Sequence, residues 1–239
     1  MNTLIYITGD IHGSIDINKM TRKAAKKAKR EGKEVYELMS GDYLIICGDF
    51  GLVWSKETDK YYKEEQYWIK WLEKKPYKIL FVDGNHENHD ILDTMPVSEW
   101  NGGKVHYIAE NVIHLMRGQV FEIEGHSFFT MGGASSHDKQ YRVEGESWWA
   151  RELPNQDELD EAKRNLAAHN NTVDYIITHC APQNIQYKIC PHYPEDDLIL
   201  FFEDLEQKLT YKRWYNGHYH CDLTIGKHTI VYDDIIPLQ

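Results

Sequence analysis

Five short apolar runs of this chain each deliver a side chain that can bind a cation at their carboxyl end. Leu4-Ile5-Tyr6-Ile7-Thr8-Gly9 is followed by Asp10 and, two residues on, by His12. Tyr43 to Gly48 leads to Asp49, Ile79 to Gly84 leads to Asn85 and His86, Tyr175 to Thr178 leads to His179, and Trp214 to Gly217 leads to His218 and His220. Oxygen and imidazole donors without a thiolate suit Mn, Fe, Zn, Ni or Mg rather than a structural zinc site. Even seven of these eight as ligands exceed what one small divalent ion accepts and suit two ions sharing one carboxylate. Two ions about 3.5–4 Å apart clamp the attacking and leaving oxygens of an in-line displacement at phosphorus, and a bridging water acidified by both supplies hydroxide at neutral pH. One such cluster alone is ordinary, since histidines pack in cores and Asp-Gly or Asn-Gly neighbours make turns. Five of them are not, because burying that many carboxylates and imidazoles without partners is costly.

The apolar, β-branched and aromatic character of these runs predicts buried strands, and a glycine at the end permits a sharp turn. In open α/β sheets ligands collect at the carboxyl ends of the strands. Between the strands, Asp16 to Arg30 reads as a helix closed by Gly32. Its many lysines and arginines could face nucleic acid, although a solvated helix face is the commoner role for such a run. A second helix is expected from about Asp59 to Lys75, with Tyr61, Trp68, Trp71 and Leu72 as a core-facing stripe. A short helical stretch follows around Asp90 to Met95. Then Val105–Ile108, Val112–Leu115, Val120–Ile123 and Phe128–Met131 alternate like an antiparallel meander, suggesting a second sheet. The loop from Gly132 to about Pro154 carries Lys139, Arg142, Trp148, Trp149 and Arg151, and a polar loop of that length is usually functional. Helices over Asn155–His169 and Leu198–Leu209, a strand at Val173–Thr178, a turn at Cys190–Pro194 and strands near Leu223–Ile225 and Thr229–Tyr232 complete the chain.

A site drawing on residues 10 to 220 requires one domain, expected here over residues 1–239. Apolar content of 41% and charged content of 27% are those of a soluble globular protein. A formal net charge of −11 argues against binding extended duplex DNA, while two divalent ions would reverse the local field for a phosphate substrate. Four cysteines without a CxxC pair, no signal-like start and no long apolar run predict a cytoplasmic protein that does not cross a membrane.

Gly9-Asp10-Ile11-His12, Gly48-Asp49, Gly84-Asn85-His86-Glu87, His179 and Gly217-His218-Tyr219-His220 resemble, in order, the five blocks of the calcineurin-like metallophosphoesterase superfamily. The resemblance implies an α/β fold, a four-layer α/β/β/α sandwich of two mixed sheets with a dinuclear site at their loop ends. It also implies that Asp10, His12 and His220 hold one metal and Asn85, His179 and His218 the other, with Asp49 bridging. His86 would be no ligand but would contact phosphate and protonate the leaving alkoxide. Mn is the foremost expected metal, with Fe, Zn, Ni or Mg as alternatives.

One departure narrows the family. Protein Ser/Thr phosphatases and diadenosine tetraphosphate hydrolases carry an arginine just after the second block, where this chain has Gly48-Asp49-Phe50-Gly51-Leu52-Val53-Trp54. The missing guanidinium removes a bidentate phosphate clamp. Arg142 is the candidate replacement, joining Asn85 and His86 on the substrate side, unless it serves a salt bridge with Asp138 or Glu144. Trp148 and Trp149 are candidates to stack a nucleobase or to be buried. The expected activity is hydrolysis of a phosphodiester in a small phosphate ester, a nucleotide or a nucleic-acid end. The alternatives are a phosphomonoesterase or protein phosphatase of the same fold and, from another class, a non-catalytic metal-binding scaffold.

Overall fold

Period-two alternation places the core on both faces of each sheet. In β1 (Ile5–Thr8), Ile5 and Ile7 face the second sheet while Tyr6 faces a helical layer. The computed structural model describes residues 3–239. After β1 come α1 (Arg22–Arg30), β2 (Tyr43–Ile46), α2 (Tyr62–Glu73), β3 (Lys78–Phe81), α3 (His89–Leu92), β4 (Val97–Trp100), β5 (Gly103–Ala109) and β6 (Val112–Leu115). The second half adds β7 (Gln119–Ile123), β8 (His126–Met131), α4 (Gln156–Ala168), β9 (Tyr175–Thr178), α5 (Gln183–Ile189), α6 (Asp197–Lys208), β10 (Arg213–Asn216), β11 (Leu223–Ile225), β12 (His228–Ile230) and β13 (Ile236–Pro237).

One sheet runs β13-β1-β2-β3-β6-β5-β4 and the other β11-β12-β10-β9-β8-β7. Both are mixed. β1, β2, β3 and β6 are mutually parallel, as are β12, β10, β9 and β8, with antiparallel strands at the edges. Ile7, Ile45, Leu80 and Ile113 of the first sheet pack against Phe121, Phe128, Ile177 and Tyr215 of the second. Tyr6, Leu44, Ile46 and Phe81 pack outward on Ile69 and Leu72 of α2, and Phe129, Ile176 and Trp214 on Leu166 of α4 and Phe202 of α6. This is the four-layer α/β/β/α sandwich expected. The carboxyl ends of β1, β2, β3, β9 and β10 carry the five clusters.

The structure corrects several expectations. The first helix is broken: a 3₁₀ turn over Ile17–Met20 ends at Thr21, whose extended backbone and Oγ1, accepting from the Ala24 amide at 3.2 Å, start α1 afresh. No residue of α1 is buried, and its six bases are exposed, as a solvated face should be. Trp68 and Trp71 pack on the core, but Tyr61 is exposed. The expected meander is two hairpins in different sheets, β5–β6 extending the first and β7–β8 the second, because β6 pairs in parallel with β3 and β8 with β9. Strands β4 and β13 and helix α5 were not anticipated. Among the described residues no helix is long and apolar enough to cross a membrane.

Candidate metal centre

Each strand end turns abruptly to present its side chain. Of eight non-glycine residues with positive φ among those described, four are candidate ligands: His12 at 39°, Asp49 at 48°, His218 at 67° and His220 at 48°. The other four are asparagines and a glutamate. Left-handed backbone costs about 1–2 kcal/mol for such residues, so its concentration here marks a site whose geometry the surrounding fold imposes. Gly84 and Gly217 permit the close approach: a Cβ at Gly84 would strike the Asp49 carboxylate, and one at Gly217 that of Asp10.

Three sets of side chains bring one ligand atom each to within 4.8 Å of one another: Asp10, His12 and His220; His12, Asp49 and His86; and Asp10, Asp49 and His179. Asp49 Oδ2 is 3.2 Å from His12 Nε2 and its Oδ1 3.2 Å from His179 Nε2. Asp49 Oδ1 also accepts the His86 backbone N–H at 2.8 Å, and Asp10 Oδ1 accepts that of His218 at 3.0 Å. His220 lies 3.3 Å from Asp10 Oδ2, with a side chain 53% exposed and stacked on Tyr232. His218 joins none of the three sets. Its ring centroid is 4.9 Å from that of His179, and its Nε2 is 3.2 Å from His137 Nε2. His86 is close enough to act as a ligand, so its separate role rests on the family pattern.

The residues fit a pair of cations. Asp10 Oδ2, Asn85 Oδ1 and His179 Nε2 are buried without a hydrogen-bond partner, although buried polar atoms normally have one. Outer contacts aim the rings: His12 Nδ1 is held by Asp16 Oδ2 at 2.7 Å, and His179 Nδ1 donates to the Cys47 carbonyl at 2.8 Å, leaving both Nε2 atoms turned to Asp49.

Burial opposes a charge on His12, but Asp49, with Asp10 and Asp16, outweighs it and lifts the imidazole to about 9. Burial likewise opposes, and Asp49 and Asp10 overcome, in His179, lifted to about 10. Despite its burial, Asp49 is held well below the usual carboxylate range by His179 and His12. His218 goes the other way, held down to about 3 by burial and the neighbouring His179. In the metal-free protein His12 and His179 thus keep protons at neutral pH that histidines at 6.5 in the unfolded chain largely lose. Their contribution to stability is complete below 6.5 and is lost as pH rises through about 9 and 10. A cation needs the same nitrogens deprotonated, so its affinity should rise with pH in that window and its binding should release protons. The melting temperature of metal-free protein should therefore fall across this window while the increment added by Mn²⁺ grows. A Mn²⁺ increment independent of pH would contradict the arrangement.

Arg142 takes the salt-bridge role: its Nε is 2.6 Å from Asp138 Oδ1 and its Nη1 donates to the Ser147 carbonyl at 3.1 Å. It still stands near the site, since after burial its charge is among the influences that lower the His86 pKa. Trp149 is buried, edge-on to Trp54 with ring centroids 5.1 Å apart, whereas Trp148 is half-buried beneath Lys139. Trp54 in turn lies over His86, with ring centroids 6.5 Å apart.

Sequence reasoning did not single out several supporting residues. Lys19 turns its ammonium inward to the carbonyls of Gly9 at 3.0 Å, Asp10 at 2.7 Å and Tyr232, tying down the end of β1. Arg117 pairs with buried Asp83, the residue before Gly84, at 2.9 Å through Nε, and His114 adds a contact at 3.2 Å. Ser136 and Glu152 stand behind Asn85. Lys19 is hidden in a basic run and Arg117 in a strand turn, so neither carries a local signal.

A family model described as calcineurin-like phosphoesterase matches residues 3–222. The chain is similar to a lariat debranching enzyme of Entamoeba histolytica, 25% identical over 240 aligned positions covering 91% of this chain. It spans 64% of that relative's length. Among solved structures it is similar to the sulfate thiohydrolase SoxB of Thermus thermophilus in complex with glycerol, with a TM-score of 0.43 and 10% identity over 97% of this chain and 51% of the other.

Proposed function

The chain belongs to the calcineurin-like phosphoesterase family, and on that premise we propose that it is a metal-dependent phosphoesterase acting on a phosphodiester. The observation that carries this reading is the convergence on Asp49 of ligand atoms from both sheets, with buried, unpartnered polar atoms of Asp10, Asn85 and His179 beside it. Because both sheets contribute, we read residues 1–239 as one domain. Asp10, His12 and His220 would hold one cation, Asn85, His179 and His218 the other, with Asp49 shared. When bound, two divalent cations supply positive charge for the phosphate oxygens and an acidified water as nucleophile.

The chain's own residues do the remaining work. His12 and His179 are oriented by Asp16 and the Cys47 carbonyl. The His86 backbone is pinned to Asp49, which sets its imidazole at the edge of the centre with Trp54 alongside. That imidazole, its pKa lowered chiefly by burial, is placed to give a proton to the departing alkoxide. Trp149 packs edge-on against Trp54 on that side of the site.

The diester preference is supported by the absence of the arginine block and by a relative named as a lariat debranching enzyme. A nucleotide or nucleic-acid end is the substrate class we favour, Mn²⁺ the first metal to test, and a reducing cytoplasm the setting that suits four free cysteines. Rates of the Mn²⁺-loaded protein on a generic diester and a generic monoester decide the matter. Faster diester hydrolysis is expected, and a strong monoester preference would move the assignment to the phosphatase alternative. Arg142→Ala should raise KM about tenfold, the worth of one charge-assisted hydrogen bond, with metal content unchanged. Unchanged kinetics would leave Arg142 as a loop staple to Asp138.

A further inference from the structure

We propose that Ser136 and Glu152 form a directional hydrogen-bond relay that fixes which end of the Asn85 amide faces the metal centre, making both of them positioning residues. The inference rests on the site assignment just given. An asparagine amide is nearly symmetrical in shape, but only its oxygen has a lone pair to offer a cation. Asn85 is buried, with Nδ2 3.3 Å from Ser136 Oγ and Oδ1 unpartnered. What sets that orientation is the next member of the chain.

Glu152 is fully buried, and its Oε1 accepts from Ser136 Oγ at 2.9 Å while its Oε2 accepts from the Ser136 backbone N–H at 2.8 Å. Burial raises the Glu152 pKa, and the two hydrogen bonds from Ser136, with Lys139 Nζ 3.7 Å from Oε2, oppose that rise and favour the ionised form. An ionised carboxylate only accepts, so the single hydroxyl proton of Ser136 is committed to Glu152. The hydroxyl oxygen is then left to accept from Asn85 Nδ2, and Oδ1 must point away from Ser136. The relay is fastened to the strand end it serves. Arg117 Nη2 donates to the Glu152 carbonyl at 3.2 Å while the same guanidinium grips Asp83, and the Gly133 N–H donates to the Asp83 carbonyl at 2.8 Å.

Glu152→Gln should reverse the relay. Its oxygen must stay opposite the Ser136 N–H, so its amide nitrogen faces Ser136 Oγ, and the hydroxyl is driven to donate toward Asn85. Asn85 then turns its NH₂ group to the cations. Ser136→Ala only removes the restraint, and Ser136→Thr keeps the hydroxyl. Calorimetric titration of the metal-free proteins with Mn²⁺ counts the sites and their affinities, and melting curves check the fold. The wild type should bind two ions and Asn85→Ala one. Glu152→Gln should weaken that same site about 10–100-fold, the usual effect of losing an outer partner, and Ser136→Ala should weaken it less. Ser136→Thr should match the wild type, with the other site unchanged throughout. If Glu152→Gln does not fold, the contrast between Ser136→Ala and Ser136→Thr decides. Wild-type affinity in Glu152→Gln and Ser136→Ala, or equal weakening of both sites with a lowered melting temperature, would overturn the relay alone. A wild type binding fewer than two ions, or an Asn85→Ala protein keeping both, would overturn the site assignment and the relay with it.

Discussion

Asp49→Asn is expected to lose at least one of two bound metals and to hydrolyse a diester about 10³-fold more slowly or worse. The substitution keeps shape and removes charge. Asp49 reaches toward both halves of the centre, with Oδ2 3.2 Å from His12 and Oδ1 3.2 Å from His179. A neutral amide offers one oxygen and one NH₂ in place of two anionic oxygens, so it cannot serve two cations together. Losing one cation removes several kcal/mol of stabilisation from the transition state, and about 4 kcal/mol corresponds to 10³ in rate. The metal-free variant should differ in a second way. Asp49 is the chief group lifting His12 to about 9 and His179 to about 10, so without it both protons leave nearer 6.5. Its melting temperature should therefore vary less with pH than that of the wild type. Metal content after dialysis, diester rates and melting curves check the three parts. An Asp49→Asn protein with two metals and undiminished rate would remove Asp49 from the bridging position.

The candidate ligands are legible because they follow short apolar runs, and such runs end where a parallel sheet opens. Their supports are not, for a physical reason: a supporting residue is defined by what it touches, and its partner is distant in sequence. Glu152 and Asn85 are brought together through Ser136 only because β3 and β8 end side by side, which no local pattern records. Lys19 looks like its basic neighbours until the 3₁₀ turn at Ile17–Met20 aims it inward. The meander pattern does not say which sheet each hairpin joins, because a hairpin has the same alternation in either. What separates β6 from β7 is the parallel partner each hairpin finds, β3 for one and β9 for the other. Helix α5 carries one local signal, Pro182 at its N-cap ahead of Gln183. Strands β4 and β13 lie at the two edges of the first sheet, and β13 is only two residues long, where alternation has too little length to register.

His86→Gln should separate catalysis from metal binding. Glutamine retains hydrogen-bonding capacity and, because the contact to Asp49 comes from the backbone N–H at 2.8 Å, leaves that anchor in place. Both metals should stay bound if His86 is no ligand, whereas loss of one would reassign it to the set it can reach with His12 and Asp49. The rate should then depend on the leaving group. An alkoxide, as in a nucleic-acid diester, needs a proton as it departs, and removing a positioned acid typically costs about 10²–10⁴-fold. A nitrophenolate departs without one, so the variant should lose much less on a nitrophenyl diester. Burial first, and then the charges of His12, Arg142 and His179, lower the imidazole pKa from its ordinary 6.5, so on alkoxide substrates the wild-type rate should decline as pH rises through that lowered value. The variant should show no such decline. Equal losses on both substrates would mean that His86 binds phosphate without donating the proton. A His86→Gln protein with its full biological effect would instead favour a metal-binding scaffold.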